Sequence, residues 1–491
     1  MAPTIFLGFD AMDVHLARRW ANDGLLPNFA RVLSTWPSLP TENPLGLIVG
    51  GLWPSFWSRS GVGHHGSYSY RQLVPGTYTT ERITPADIVV RPFWLDLDDA
   101  AQRCVIFDVP LVRPIPLQHG VHIVDWGSHD AQLPTTITDP AVAERLATLG
   151  PYPQRSCDAM VRGYVDGYER LLDALLAGVR QRREAISLLL DDDVDFLAAV
   201  FSESHCAGHQ FFHLHDPLFP GHDPALVQRL GGDPMLAVYR ALDDALGELL
   251  EVIPDDAHVM VLLSHGFGPH YDGSSMLNTI LQRIEARHRP LTGIARWRRV
   301  IPARVRGAGR RLQRRFRPNP RERYYIDETR PWFTMPNNDL YGAIRLNLRG
   351  REPHGRLRPG DDAEAAVELL TNELMSITHE ESGAPAVRRV VRVDDVHAGP
   401  RRDMLPDLCV EWNWSEPFRV LTSPTIGVLT AEVHSGRTGD HRPHGAVFTR
   451  HLALPDCASL RVEDLAGVVV NDVLTKQANR SATLRRDDRR G

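Results

Sequence analysis

Short apolar runs alternate with helical stretches along most of this chain, and this alternation restricts its fold more than any other feature. The runs at Thr4–Phe9, 194–201 and 257–263 are rich in strand-forming residues. Helical patterns lie among them, at 169–190 and 236–252. Repeated strand and helix units predict the α/β class, with a doubly wound, mostly parallel sheet flanked by helices.

Two histidines one helical turn apart, His205 and His209, follow the apolar run at 194–201. This spacing suits two imidazoles that bind one metal ion, although histidines four residues apart also serve as capping or packing residues. Open α/β sheets bind their ligands at the carboxyl ends of the strands. We therefore expect His205 and His209 to lie where a ligand binds.

Polar residues flank other predicted strands in the same manner. Asp10 directly follows the first strand, and His265 and His270 follow the run at 257–263 in a glycine-containing segment. His441 and His444 come just before another apolar run near the C-terminus. One carboxylate and several imidazoles at strand ends predict a metal site assembled from distant segments.

Composition limits the class of protein further. The chain has 491 residues, of which 43% are hydrophobic, and this suits one large core with insertions or two domains. A net charge of -6 does not favour nucleic acid as a partner of the whole protein. Five scattered cysteines without CxxC spacing argue against a disulfide framework.

The chain contains no apolar run of membrane-spanning length, and a core strand begins at Thr4. We therefore expect no membrane span, no signal peptide and a cytoplasmic location. A homodimer is compatible with the sequence.

Arginines concentrate between Arg296 and Arg323, where their helical spacing predicts a basic surface helix in an insertion. We favour a solvated face over a patch for an anionic substrate tail, a protein partner or lipid headgroups. The predicted domains are a first core segment at 1–275, an arginine-rich insertion or cap at 276–330, a second core segment at 331–480 and a disordered tail at 481–491.

The order of the motifs along the chain is also informative. The motifs are Asp10 after a strand, the segments at 24–31, 53–56 and 63–66, the His205/His209 pair, the segment at 264–266, the segment at 342–351 and His441. In this order they resemble the type I phosphodiesterase/nucleotide pyrophosphatase branch of the alkaline phosphatase superfamily. The resemblance implies a doubly wound core with two zinc-like ions and a Ser or Thr nucleophile that attacks a phosphate ester.

The resemblance also implies two metal-ligand sets. One metal would be bound by the residue at position 205 with His209 and His441, and the other by Asp10, the nucleophile, the residue at position 264 and His265. This chain departs from the pattern in three places. It has His205 and Ser264 where the family usually has Asp, and Val49 where the nucleophile is expected.

These departures change the expected chemistry. Three neutral imidazoles form a zinc site with one open position, and water on such a zinc has a pKa near ~7, so hydroxide can form without a side-chain nucleophile. The second site, left with Asp10 and His265, should bind metal weakly or not at all. We therefore expect zinc as the cofactor, with one site occupied and the second uncertain.

Further residues are candidates for supporting roles. Asp10, His270 and His444 are candidate catalytic groups, although His270 and His444 equally suit extra ligands or turn caps beside glycine. Gly50 and Gly51 precede a predicted helix whose N–H groups suit an anionic oxygen. Asn337 and Arg345 are the remaining candidates for substrate binding.

Thr41 and Ser55 are the hydroxyls nearest to position 49 in the first loop. Either could replace the missing nucleophile, but for Ser55 we favour packing or hydrogen bonding to the helix backbone.

The residues together favour a metal-dependent hydrolase of phosphoester, phosphodiester or sulfuryl-type bonds that uses metal-bound hydroxide on a small anionic substrate. One alternative is a transferase that moves a phosphoryl- or sulfuryl-type group to an alcohol without a covalent enzyme intermediate. Another is a degraded homologue that binds metal without chemistry, and the many histidines at strand ends argue against it.

Overall fold

The computed structural model describes residues 2–128, 131–154, 156–161, 166–190, 193–288, 324–337, 340–431 and 436–487, with backbone alone at 480–487. The predicted arginine-rich run at 296–323 lies outside the described residues. The chain divides into two compact units. Unit 1 comprises Met1–Ser67, Thr84–His270 and Ser435–Gly491, and unit 2 comprises Tyr68–Ile83 and Tyr271–His434.

The strands in chain order are β1 (Thr4–Phe9), β2 (Ser38–Glu42), β3 (Arg71–Leu73), β4 (Thr79–Arg82), β5 (Cys104–Phe107), β6 (Gly120–Val124), β7 (Thr136–Ile137), β8 (Phe196–Phe201), β9 (His258–Leu263), β10 (Gly266–Pro269), β11 (Tyr324–Tyr325), β12 (Trp332–Met335), β13 (Tyr341–Leu346), β14 (Thr378–His379), β15 (Val387–Arg392), β16 (Leu408–Trp412), β17 (Val420–Ser423), β18 (Gly427–Thr430), β19 (Gly439–Arg442), β20 (His444–Arg450) and β21 (Leu460–Arg461).

The α-helices are α1 (Val14–Asn22), α2 (Pro27–Thr35), α3 (Leu52–Ser58), α4 (Val62–His65), α5 (Trp94–Asp99), α6 (Pro140–Ala147), α7 (Cys157–Val161), α8 (Gly167–Leu190), α9 (Glu203–His215), α10 (Pro224–Arg229), α11 (Pro234–Val252), α12 (Ser274–His288), α13 (Asp361–Met375) and α14 (Val462–Asp487). Short 3-10 helices occupy Pro85–Asp87, Val393–Asp395 and Arg402–Met404. Among the described helices, none combines the length and apolar character needed to cross a bilayer.

Unit 1 is built on a mixed sheet that has nine strands within the described residues, in the order β21-β2-β20-β9-β1-β8-β5-β6-β7. Its five central strands, from β9 to β6, are all parallel, and antiparallel pairing occurs towards the two edges. The central strands are buried along almost their whole length, because helices such as α8, α9 and α11 contribute to the core beside them. The predicted α/β class with a mostly parallel sheet flanked by helices is confirmed.

The register of the sheet determines which residues meet at its carboxyl edge. Phe9, the last residue of β1, pairs with Phe201 of β8 on one side and with Leu263 of β9 on the other. All three strands therefore end at one level, and the residues that follow them, beginning with Asp10, emerge side by side.

Strand β10, which follows β9 in the chain, pairs with the distant strand β19 to form a two-stranded ribbon. In this ribbon Phe267 pairs with His441 across antiparallel strands. Since β10 follows β9 after only Ser264 and His265, the ribbon holds His441 close to the carboxyl end of β9.

Unit 2 contains separate antiparallel sheets in the orders β12-β13-β16-β15, β11-β4-β3 and β14-β17-β18. Its core includes Leu277 and Ile280 of α12, Leu370 of α13 and Trp332 of β12. The predicted domain boundaries stay a prediction, since most of the 276–330 segment lies outside the described residues. The helical backbone of α14 covers 481–487 of the predicted tail.

His122 shows how this core treats an ionisable group. The side chain is fully buried on β6, where its Nδ1 accepts a hydrogen bond from the Ile115 N–H at 3.1 Å. Among the described residues, its Nε2 has no hydrogen-bond partner. Burial therefore lowers the pKa of His122 to about 4.

We expect His122 to make unit 1 sensitive to acid. Because its pKa is lowered in the folded state, its neutral form stabilises the protein above the unfolded pKa, and this stability is lost as the pH falls from about 6.5 towards 4. His122→Asn, which retains an acceptor for Ile115, should remove roughly 2–3 kcal/mol of the difference in unfolding free energy between pH 7 and pH 4.5. Urea denaturation of both proteins at the two pH values measures this, and equal losses would show that His122 does not contribute.

Candidate metal centre

His205 and His209 face each other on α9, the helix that begins two residues after β8 ends. Their Nε2 atoms are 3.0 Å apart, and both side chains are buried. Two nitrogen ligands of a tetrahedral zinc lie about 3.3 Å from each other, because each bond is about 2.0–2.1 Å long. The two imidazoles are therefore already spaced like ligands of one ion.

The hydrogen bonds on the opposite side of each ring define which nitrogen carries the proton. His205 Nδ1 lies 2.9 Å from Asp10 Oδ2, and His209 Nδ1 lies 2.9 Å from the Gly439 carbonyl oxygen. A carboxylate and a carbonyl only accept, so both Nδ1 atoms donate and the neutral rings present lone pairs at Nε2. Two lone pairs 3.0 Å apart repel unless a cation, a proton or a metal ion, lies against them.

His441 completes the cluster from β19. One ring nitrogen from each of His205, His209 and His441 could bind a metal, and these three atoms all lie within 4.8 Å of one another. The ring centre of His441 is 4.8 Å from that of His205 and 4.7 Å from that of His209. His441 Nδ1 is buried, and no described residue forms a hydrogen bond with it. Three imidazoles with a nitrogen left unsatisfied fit a zinc-type ion.

Two glycines allow the ribbon to approach α9 closely enough for this cluster. A Cβ atom on Gly208 would lie 2.6 Å from the Phe267 ring, and one on Gly439 would lie 2.9 Å from Phe212 Cβ. Because both positions lack a side chain, β10 and β19 pack directly on the helix. His441 thereby comes within reach of His205 and His209.

Asp10 connects three elements at the carboxyl edge of the sheet. Besides contacting His205, its carboxylate accepts hydrogen bonds at Oδ1 from Trp53 Nε1 at 2.8 Å and from Ser264 Oγ at 3.1 Å. Asp10 was predicted as a metal ligand and a catalytic group. The structure places Asp10 beside the cluster, where its carboxylate accepts from His205 Nδ1 and so orients the imidazole, as carboxylates do for histidines that bind metals. Its roles as a metal ligand and as a catalytic group stay predictions.

The neighbourhood of His265 holds fewer ligand atoms. His265 Nε2 is 3.7 Å from Asp10 Oδ1, and its Nδ1 lies 3.2 Å from the Gly266 carbonyl oxygen. Ser264 accepts the Ala11 N–H at 3.0 Å and donates to Asp10. At position 264, where the family pattern has a second carboxylate, this chain has a serine whose hydroxyl donates a hydrogen bond to Asp10.

Burial favours the neutral form of two of the imidazoles, His441 and His265. Desolvation, and next the neighbouring His265 and His209, hold the pKa of His441 well below its usual value. Desolvation also lowers the pKa of His265, against the opposing influence of Asp10. A neutral imidazole is the form that binds metal, so His441 is in the state that a metal requires.

The other predicted site residues of unit 1 lie near these elements in different settings. His270 directs Nδ1 to the Arg437 carbonyl oxygen at 3.0 Å, and His444 is exposed, with its ring 5.9 Å from that of His15. The Gly51 N–H donates to the Ile48 carbonyl at 3.0 Å, while the Gly50 carbonyl accepts from Ser67 Oγ. Their predicted catalytic and substrate-binding roles stay predictions.

Asn337 and Arg345 belong to unit 2. Arg345 is buried, and it donates to Glu352 Oε1 at 2.7 Å and to the Leu405 carbonyl at 2.6 Å. This network explains Arg345 as part of the unit 2 core, and its role in substrate binding stays a prediction, as does that of Asn337.

The two substitute nucleophiles differ in their surroundings. Ser55 is fully buried, with Oγ 3.0 Å from His65 Nε2. Because His65 Nδ1 accepts the Ser67 N–H, the proton of the neutral ring is on Nε2, so His65 donates to Ser55 and cannot activate it as a base. Thr41 Oγ1 is buried and has no hydrogen-bond partner among the described residues.

Sequence reasoning missed two contributors to the site. Trp53 carries part of the family motif, but its hydrogen bond to Asp10 is visible only in the structure. Arg437 lies four residues before His441, and its Nη1 is 3.5 Å from His209 Nε2. Proximity to His441 in the sequence was the one available signal for Arg437.

A parallel-centred sheet with a buried imidazole cluster at the carboxyl ends of its strands defines an α/β enzyme with a metal-binding site. The family model described as type I phosphodiesterase / nucleotide pyrophosphatase matches residues 4–415, and the chain belongs to this family. Membership assigns the chain to the metal-dependent phosphoester hydrolases, a class of enzymes.

Two solved structures of one enzyme, both with TM-scores above 0.5, support the fold. Phosphonoacetate hydrolase from Sinorhizobium meliloti 1021 in complex with phosphonoformate superposes with a TM-score of 0.55 at 13% identity, over 96% of each chain. The same enzyme with phosphonoacetate gives 0.54 at 12% identity, also over 96% of each chain. Murine ectonucleotide pyrophosphatase / phosphodiesterase 5, in an inactive form with AMP, gives 0.48 at 10% identity over 96% and 95%. A search of curated proteins by sequence found no significant match.

We expect the cluster to bind one transition metal, most simply zinc. His209→Ala should reduce the metal content of the purified protein from about one ion per chain to a small fraction of that, since two imidazoles hold zinc poorly. His213→Gln, one turn further along α9, is the matched control and should retain the metal. Elemental analysis of the three proteins decides this, and an unchanged metal content in His209→Ala would refute the assignment.

Asp10→Asn should weaken metal binding by about 10- to 100-fold, because it removes the negative charge that orients His205 and raises its basicity. If Asp10 acts only through His205, saturating metal will still give the stoichiometry of the unmodified protein. A competition titration with a coloured chelator measures both quantities. A lower stoichiometry at saturation would show instead that Asp10 binds a metal directly.

Proposed function

We propose that the protein hydrolyses phosphoesters, including phosphodiesters, with a single metal bound by His205, His209 and His441, and that water attacks phosphorus directly. The observation that carries this proposal is the facing pair of Nε2 lone pairs 3.0 Å apart, with His441 beside them. When bound, the metal supplies Lewis acidity, which polarises the phosphoryl oxygen and brings the pKa of coordinated water to about 7.

The absence of a side-chain nucleophile at position 49 supports direct attack. Val49 stands in the turn before α3, where the family pattern expects Ser or Thr, and its isopropyl group has no nucleophilic atom. The Ser55 hydroxyl is hydrogen-bonded to His65, but the proton on His65 Nε2 prevents this imidazole from acting as a base towards Ser55. Water is therefore the nucleophile that this arrangement favours, with Thr41 the alternative to test.

The residues around the cluster have separable tasks in this proposal. Asp10 keeps the proton of His205 on Nδ1, so that Nε2 stays available to the metal. Phe267, whose ring centre is 4.8 Å from that of His209, shields the imidazoles from bulk water. His265 donates from Nδ1 to Gly266, so its Nε2 is an acceptor that can take the proton lost by the attacking water.

The residues near His265 support a single-metal centre. Of the second ligand set that the family resemblance implies, the described residues retain Asp10 and His265, and Asp10 Oδ1 already accepts hydrogen bonds from Trp53 and Ser264. Two ligands with one shared carboxylate are fewer than the three protein ligands usual for a catalytic zinc.

The substrate class is tested with the zinc-loaded protein and a panel of aryl phosphates, phosphodiesters, aryl sulfates and phosphonoacetate. We expect turnover of the phosphoesters, and loss of it in His209→Ala. Adding an alcohol acceptor and analysing the products separates hydrolysis from transfer. Metal binding without turnover of any substrate would leave a binding protein and reject the proposal.

Direct attack predicts a stereochemical result. Hydrolysis of a chiral phosphorothioate diester in labelled water should invert the configuration at phosphorus, because a single displacement inverts while two displacements through an enzyme ester restore it. Val49→Thr should restore a hydroxyl and produce either a trappable phosphoryl-enzyme or retention. Val49→Ala, which shortens the side chain without adding a hydroxyl, is the control and should still invert.

Retention in the unmodified protein would contradict direct attack. In that case loss of turnover in Thr41→Val would identify Thr41 as the nucleophile. Ser55→Ala would test the less favourable hydroxyl by the same measurement.

A further inference from the structure

Arg437 lies between the buried imidazoles and the solvent. Its side chain is 37% exposed, whereas His209 and His441 are each 2% exposed. Its Nη1 lies 3.5 Å from His209 Nε2. A permanent positive charge therefore stands on the solvent side of the candidate metal centre.

The orientation of this guanidinium is defined by Asp158 on α7. Arg437 Nε and Nη2 donate to Asp158 at 3.2 and 2.9 Å, so one edge of the planar group is committed to the carboxylate. Gln210, the residue after His209, donates to Asp158 Oδ1 at 2.6 Å. The carboxylate is thus tied to α9, and it holds Nη1 towards His209.

Metal binding changes what Nη1 can contact. Since His209 Nδ1 donates to Gly439, Nε2 offers a single lone pair, and the metal would use it. The contact between Arg437 and His209 then loses its acceptor, and a guanidinium remains beside a divalent cation. Two neighbouring positive charges are stabilised when an anion lies between them.

We propose that Arg437 is a substrate-binding residue, whose Nη1 donates to a non-bridging phosphoryl oxygen of a substrate bound at His205, His209 and His441. This inference rests on the proposed function for its substrate class. It adds that the Arg437 guanidinium lies against His209, a proposed metal ligand, and that a phosphate on the metal would lie between the two positive charges. Metal and phosphate should therefore bind with positive coupling.

The test uses the full chain, zinc and inorganic phosphate as probes, and isothermal titration calorimetry. Arg437→Met should weaken phosphate binding to the zinc-loaded protein by roughly tenfold or more. Zinc binding without phosphate should become several-fold tighter in the same variant, because a competing donor and a repelling charge are gone. Arg437→Lys should give zinc and phosphate affinities between those of the unmodified protein and Arg437→Met, because lysine keeps the positive charge but cannot form the paired hydrogen bonds to Asp158.

Arg229→Met is the matched control. Arg229 lies in the same unit, is 55% exposed and pairs with Glu169 at 3.0 Å, so its loss should leave both affinities unchanged. Unchanged phosphate affinity in Arg437→Met would overturn the inference. A parallel loss of zinc and phosphate binding would overturn it too, because it would show that Arg437 only maintains the structure.

These measurements also separate this inference from the proposed function. If no ester is hydrolysed while phosphate binding to the zinc form depends on Arg437, the anion site stands and the hydrolase proposal fails. If esters are hydrolysed and Arg437→Met changes neither KM nor phosphate affinity, the hydrolase proposal stands and the role of Arg437 is rejected.

Discussion

The arrangement of the site depends on the carboxylate of Asp10. This group follows the central strand β1 and accepts hydrogen bonds from His205, Trp53 and Ser264, so it connects β1 with α9, α3 and the end of β9. A buried carboxylate is stable only when it is surrounded by donors, and here each donor is a side chain that the site needs in a defined place. Removing the charge of Asp10 would therefore disturb the tautomer of His205 as well as the packing of Trp53.

The second constraint is the approach of two imidazole lone pairs. His205 and His209 cannot hydrogen-bond to each other while both donate from Nδ1, so the pair is compatible with its surroundings when a cation lies against Nε2. In the family pattern an Asp at position 205 would supply negative charge to the metal directly. With histidine at position 205, the nearest negative charge is that of Asp10, which accepts a hydrogen bond from His205 Nδ1 and so influences the metal site only through the imidazole ring.

The loss of the nucleophile and the changes at the second metal position are consistent with each other. A nucleophilic alkoxide needs a nearby metal to lower its pKa, and without Ser or Thr at position 49 that requirement disappears. Ser264 can then occupy the carboxylate position and donate to Asp10. In the proposed function the anionic substrate still requires positive charge near the cluster, and the partly exposed guanidinium of Arg437 beside His209 is proposed to supply it.

The sequence by itself determined the α/β class, because strand and helix periodicities alternate and leave few alternatives for burying the apolar runs. It also determined that Asp10, His205 and His265 share one edge of the sheet, since residues after parallel strands emerge together. Only the tertiary structure decided that Asp10 bonds to His205, and that the pairing of Ser55 with His65 is structural. It also decided that Arg345 belongs to unit 2 and that Arg437 faces His209. These facts depend on side-chain directions and on the close approach at Gly208 and Gly439, and contacts between residues hundreds of positions apart leave no periodicity that a single sequence can reveal.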